Sequence, residues 1–153
     1  MERLDTTDLD ILRILQNNSK KTTKEIADTL NLTPSPVYER IRRLEKKGYI
    51  KKYVALLDKK LVKKPITAVC MVSLRYHNEG FIEKFEKQIR TLSEVQECYH
   101  MAGKVDFFLK INVESLDGYH QFVRLKLSKI ENIGILESYF VLKEILHTTE
   151  YNI

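Results

Sequence analysis

The chain has little of what metal, disulfide or nucleotide chemistry requires. Two cysteines stand in 153 residues, Cys70 and Cys98, and neither has a partner at metal-ligand spacing. Both lie in apolar, strand-like segments, which predicts buried free thiols and a reducing compartment rather than a disulfide framework. The four histidines, His77, His100, His120 and His147, are scattered with no H-x3-H or similar pattern, so no metal site is expected. P-loop, G-x-G-x-x-G and G-x-S-x-G signatures are all missing. No catalytic residue, enzymatic activity or cofactor is therefore expected. No apolar run is long enough to cross a bilayer, and the opening MERLDTTD has no leader pattern. A cytoplasmic protein without a membrane partner is the expectation.

What the chain does have is 43% apolar residues, enough for one domain or two small ones, and an uneven charge. Residues 1–60 hold 14 Lys+Arg and 9 Asp+Glu, whereas residues 61–153 hold 12 of each. The formal excess of +5 thus sits in the first 60 residues, which suggests a polyanionic partner for the N-terminal part.

The stretch TTKEIADTLNLTPSPVYERIRRLEKKG, Thr22 to Gly48, reads as a short helix, a tight turn and a longer helix. Thr22-x-x-Glu25 fits a capping box, with Ile26, Ala27 and Leu30 inward and Asn31 suited to a left-handed turn. The second helix is expected from Pro34 to Lys47, N-capped by Thr33 and ended by Gly48. At 100° per residue, Val37, Ile41 and Leu44 share one face, while Ser35, Glu39, Arg42 and Lys46 share the opposite one. Arg43 and Lys47 flank the outer face, and Tyr38 forms its other shoulder. An earlier helix, about 7–17, carries Leu9, Leu12 and Leu15 at helical spacing. This is the layout of a DNA-reading helix-turn-helix. Arg42 and Lys46 are the leading groove contacts, and Ser35 can serve a base edge or a phosphate. Glu39 could accept from a cytosine amino group, but a pair with Arg42 or Arg43 is the stronger expectation. Arg40, at the edge of the apolar stripe, is expected in a structural ion pair. Lys51 and Lys52 follow Ile50 on an expected wing strand, 50–57, as phosphate contacts.

A charged hinge, 59–65, ends at Pro65. Beyond it the pattern reads strand (66–76), helix (79–91), strand (94–101), turn (102–104), strand (105–113), helix (115–130), strand (135–146). Val105, Phe107, Leu109, Ile111 and Val113 alternate onto one face. On the second helix Leu116, Tyr119, Val123, Leu127 and Ile130 point inward. The order βαββαβ predicts a ferredoxin-like sandwich. The expected class is α+β: a winged helix-turn-helix over 1–50, a strand and hinge over 51–65, and the sandwich over 66–153. Both faces of the sheet carry apolar residues, as Met71, Val72, Phe107 and Phe108 show, so dimerisation through the face without helices is expected.

These motifs are similar to those of the leucine-responsive regulatory protein / asparagine-operon regulator (Lrp/AsnC) family of transcription factors. The resemblance rests on LDTTDLDILRILQNNSK, LTPSPVYERIRRLEKKGYI, VQECYHMAGKVDFFLKINV and SYFVLKEI, which run through nearly the whole chain. It implies a DNA-binding element over Thr23–Arg42, which brings in Thr23 and Pro36. It also implies a homodimer that assembles further, to a tetramer or octamer, with double-stranded DNA and a small amino acid as partners. The effector would sit between subunits at Gly103, Lys104, Val105 and Asp106, where bare backbone N–H groups suit a carboxylate and the aspartate suits an ammonium. Ser138 aligns with a small hydroxyl position. A second reading stays open, in which Gly103 only makes the turn and Asp106 caps or pairs. Two other functions also remain: an architectural DNA-binding protein without effector, and a siroheme-decarboxylase-like enzyme using His100. The basic recognition helix argues against the last.

Overall fold

In the computed structural model, which describes residues 3–153, the chain forms two compact units. One comprises the described residues up to Leu56 with Leu146–Ile153, the other Leu57–Ile145.

The first unit is built from α1 (Thr6–Asn17), α2 (Thr23–Leu30) and α3 (Pro34–Lys46). Each boundary has a local cause. Asp5 caps α1 by accepting from the Asp8 N–H at 2.8 Å. The capping box at α2 forms in full: the Thr22 hydroxyl accepts from the Glu25 N–H, and the Glu25 carboxylate accepts from the Thr22 N–H at 2.7 Å. Asn31 ends α2 in the left-handed region (φ 54°). Gly48 (φ 78°) ends α3 in a Schellman motif, with Gly48 N–H to Glu45 O and Tyr49 N–H to Leu44 O, both 3.0 Å. Thr33 occupies the N-cap of α3 but makes no side-chain cap bond. Pro36 removes one of the two usual donors, because an N-cap oxygen accepts from the N–H at the second or third helical position and Pro36 supplies none at the third.

Ile11, Leu15, Ile26, Ala27, Val37 and Leu44 form the core of this unit. The expected stripe on α1 is corrected here: Ile11, not Leu9, is fully buried, beside Leu15. The expected strand 50–57 is absent, and residues 51–58 carry no regular structure. Tyr53, Val54, Leu56 and Leu57 are exposed. A strand needs a hydrogen-bonding neighbour, and this segment pairs with none.

The second unit runs β1 (Ile66–Leu74), α4 (Glu79–Ile89), β2 (Val95–His100), β3 (Phe107–Val113), α5 (Leu116–Leu125), a 3-10 turn (Leu127–Lys129) and β4 (Ile133–Phe140). The sheet order is β2-β3-β1-β4, antiparallel throughout, which is the ferredoxin-like βαββαβ topology. Ala68, Cys70, Val72 and Leu74 of β1 and Phe107, Leu109, Ile111 and Val113 of β3 alternate onto the helix-covered face. There they meet Phe85 and Ile89 of α4 and Tyr119 and Phe122 of α5; the Phe85 and Phe107 rings lie 4.3 Å apart. Leu116, expected inward, is exposed because it lies in the first turn of α5, next to its Ser115 cap. The last strand ends at Phe140 rather than 146, where its pairing with β1 runs out at Ala68.

The opposite face of the sheet has no helix. Val69, Met71 and Phe108 lie on it half-buried, and Tyr99, Ile135 and Tyr139 lie on it exposed. An ion pair between Lys110 and Glu97, 2.8 Å, crosses it.

Candidate nucleic-acid interface

Helix α3 divides as its periodicity requires. Val37 and Leu44 are buried and Ile41 packs partly against them, while Ser35, Pro36, Tyr38, Glu39, Arg42, Lys46 and Lys47 are exposed. The Arg42 guanidinium lies 5.9 Å from the centre of the Tyr38 ring, one turn earlier, an arrangement that steadies a long exposed cation. Thr23, at the start of α2, is half-buried.

One acid, Asp8, engages two arginines of this helix. This residue of α1 is buried, and its carboxylate is held by two arginines of α3. Arg43 binds both of its oxygens, at 2.8 and 2.9 Å, and Arg40 reaches Asp8 at 2.8 Å and Asp5 at 2.6 Å. Arg43 thus acts as a clamp between helices through one guanidinium nitrogen while its side chain stays exposed, and Glu39 has no ion pair with Arg42 or Arg43. Arg40 takes the structural role expected of it. Arg40 and then the Asp8 backbone hold the Asp5 carboxyl below its ordinary range, and Asp5 followed by Asp8 raises the pKa of Arg40. Periodicity missed Asp8 because a lone acid in a first turn reads as a dipole contact. Lys51 and Lys52 are exposed on irregular chain, not on a wing strand.

In the second unit the loop 101–106 joins β2 to β3. Met101 N–H donates to Asp106 O at 2.7 Å, and Asp106 N–H donates to Val72 O at 2.9 Å. The Asp106 carboxylate accepts from the Leu74 N–H at 2.7 Å and meets His77 Nε2 at 3.1 Å. Two interactions leave capacity for another donor on a group with about four acceptor positions. At Gly103 nothing lies within 4 Å of where a side chain would begin, Lys104 is exposed and Val105 is half-buried. Sequence reasoning missed His77, whose link to the loop spans 29 residues.

Ser138 lies elsewhere in the same unit. It pairs with Cys70 across the β1–β4 ladder, four residues from Leu74, or about 13 Å along a strand. Its Oγ accepts from the Tyr119 hydroxyl at 2.6 Å, and Cys70 Sγ lies 2.7 Å from that hydroxyl. Burial pushes the Cys70 thiol up, and burial with Cys70 does the same to Tyr119. Within one protomer Ser138 therefore completes an internal polar chain and is not brought to Asp106.

The expectation of two buried thiols is half corrected, since Cys98 is exposed. It sits on the edge strand β2, beside a cleft of about 430 Å3 bordered by α4, with Glu86, Arg90 and His100 among its walls. The His100 ring stacks on Phe107 at 4.7 Å. Among the described residues no cluster of His, Cys, Asp and Glu could hold a metal ion, and no helix is long and apolar enough to cross a membrane.

Both halves of the chain match known protein families. Residues 4–51 match a winged helix-turn-helix DNA-binding model, and residues 67–151 match the Lrp/AsnC ligand binding domain. The chain is 32% identical over 145 residues to the leucine-responsive regulatory protein of Haemophilus influenzae, covering 95% of this chain and 87% of that one. It is 35% identical over 138 residues to the transcriptional regulatory protein DoeX of Halomonas elongata, covering 90% and 85%. Its fold superposes on a transcriptional regulator from Neisseria meningitidis, solved as a complex with L-Met, with a TM-score of 0.93 and 33% identity over 98% of this chain and 97% of that one. With both halves matched in order and nearly end to end, the chain belongs to the Lrp/AsnC family of DNA-binding transcription regulators.

Proposed function

We propose that this regulator reads duplex DNA with the outer face of α3 and that a small amino acid, bound at the loop 103–106 between subunits, shifts its assembly and so its DNA affinity. The carrying observation is the division of α3: a closed apolar face beneath, and Ser35, Tyr38, Glu39, Arg42 and Lys46 exposed above. Arg42 and Lys46 supply the cations, because Arg40 and Arg43 are committed to Asp8.

The bare face of the sheet supports a homodimer. Tyr99, Met71, Phe108, Ile135 and Tyr139 leave apolar area in water that a second copy would cover. Two recognition helices could then address two half-sites. The effector reading is supported by the open backbone at Gly103, by acceptor capacity on Asp106, and by the L-Met bound to the neisserial relative. A ligand favouring one assembly can shift the equilibrium only by its differential affinity for the two.

A mobility-shift titration on the region upstream of its own gene tests DNA reading. About six phosphate contacts give a slope near −5 in log affinity against log salt. Absence of any shift would reject it. Thermal unfolding with each amino acid, L-Met first, tests the effector: a ligand at 100 times its Kd adds about 2.7 kcal/mol to the native state. No response to any amino acid would favour the architectural reading.

A further inference from the structure

Residues 51–64, KKYVALLDKKLVKK, hold six lysines and one aspartate, a net of +5 equal to the excess of the whole chain. Residues 1–50 net +2 and residues 65–153 net −2. The positive charge that singles out the N-terminal part thus belongs mostly to the hinge and not to the helix-turn-helix.

Part of that hinge is an ordered turn in the second unit. The Asp58 carboxylate accepts from the Lys60 N–H at 2.8 Å, and Val62 N–H donates to Asp58 O at 3.1 Å. The turn then closes as a helix end closes, with Lys63 N–H to Lys60 O at 3.1 Å and Lys64 N–H to Lys59 O at 2.7 Å. Lys63 holds the left-handed position (φ 57°), where glycine or asparagine costs least. A lysine in a conformation it disfavours is a local conflict of the kind found at working surfaces. Lys59 is tied to Glu144 and Thr67. Lys60, Lys63 and Lys64 are exposed and make no ion pair among the described residues.

We infer that Lys60, Lys63 and Lys64 form a second DNA contact, a phosphate-binding turn in the ligand-binding half that holds the duplex backbone without reading sequence. This rests on the DNA-binding reading above. Lysine suits the task as a point charge, and phosphate contacts add affinity and salt dependence but no base discrimination. An ordered turn loses less freedom on binding than a flexible tail.

The test uses the full chain, titrated from about 50 to 200 mM salt against its own upstream region and an unrelated duplex. For K60Q/K63Q/K64Q the salt slope should fall by about 2 to 3, since each phosphate contact contributes about 0.9. Affinity for both duplexes should drop by the same factor, leaving their ratio unchanged. K63G, which removes one charge and relieves the left-handed lysine, should fold at least as well and lower the slope by about 1. Arginines at all three positions should keep the slope. K87Q/R124Q/K129Q, an equal loss of charge on α4, α5 and the 3-10 turn, should leave it nearly unaltered. If the hinge variants keep the parental slope, or the control lowers it equally, the inference is overturned while DNA reading stands. A parent that binds neither duplex overturns both.

Discussion

Arg43 of α3 grips both carboxylate oxygens of Asp8 in α1, at 2.8 and 2.9 Å, and so turns a recognition-helix cation into a brace between helices. Asp8 is a buried carboxylate, and two arginines answer it. Arg43→Ala leaves the buried Asp8 with Arg40 alone and should cost about 1–2 kcal/mol, whereas Asp8→Ala removes the acceptor that ties both arginines to α1, with Arg40 still on Asp5 and Arg43 open to water, and should cost about 2–3 kcal/mol. Thermal unfolding checks the order. Arg43→Ala should leave the ratio of specific to non-specific DNA affinity intact, and a fall in that ratio would return Arg43 to the base-contacting set.

Arg42 should behave in the opposite way. Among the described residues it has no ion pair, and it rests against Tyr38. Arg42→Ala should weaken specific binding by about 1–3 kcal/mol with little change in stability. Equal loss on specific and unrelated duplexes would make it a phosphate contact only.

The α2 cap gives a pH dependence with a definite sign. The Thr22 backbone N–H, and then its hydroxyl, hold the Glu25 carboxyl below its ordinary value. A depressed folded-state pKa contributes stability that is complete above the unfolded value, about 4.3, and is lost as pH falls through the folded value. The melting temperature should therefore decline below about pH 4.5, and Glu25→Gln should decline less steeply. Parallel curves for the two proteins would rule out this contribution.

The two thiols should separate kinetically. Cys70 is buried against Tyr119 and its thiol is pushed up by burial, so it should resist a disulfide reagent until the chain unfolds. Cys98 is exposed on an edge strand, although its partly desolvated sulfur and the nearby Glu86 also push its thiol up. One thiol per chain should react in the native state, slowly at neutral pH and faster at alkaline pH. Two fast equivalents would contradict the packing around Cys70.

Features set by near neighbours in sequence were the ones sequence could reveal. Thr22 with Glu25, Asn31 and Gly48 all act within one turn, and each lies where spacing placed it. The alternation of Phe107, Leu109, Ile111 and Val113 likewise carries its own evidence of a covered face. Distant partners were illegible. Arg43 finds Asp8 across 35 residues, and His77 finds Asp106 across 29. The exposure of Cys98 depends on β2 lying at the sheet edge, which no local pattern states. The expected strand over 50–57 failed for a related reason: apolar content marks willingness to pair, and pairing needs a second strand.

Pro34 and Pro36 open α3. A helix commonly greets a phosphate with a crown of unpaired amides at its leading end. Here two of the first four amides are replaced by rings, leaving only those of Thr33 and Ser35. Backbone-mediated anchoring at this tip is weakened, so grip on the sugar-phosphate chain must come from side chains further along, and ionic strength becomes the natural control over residence on DNA.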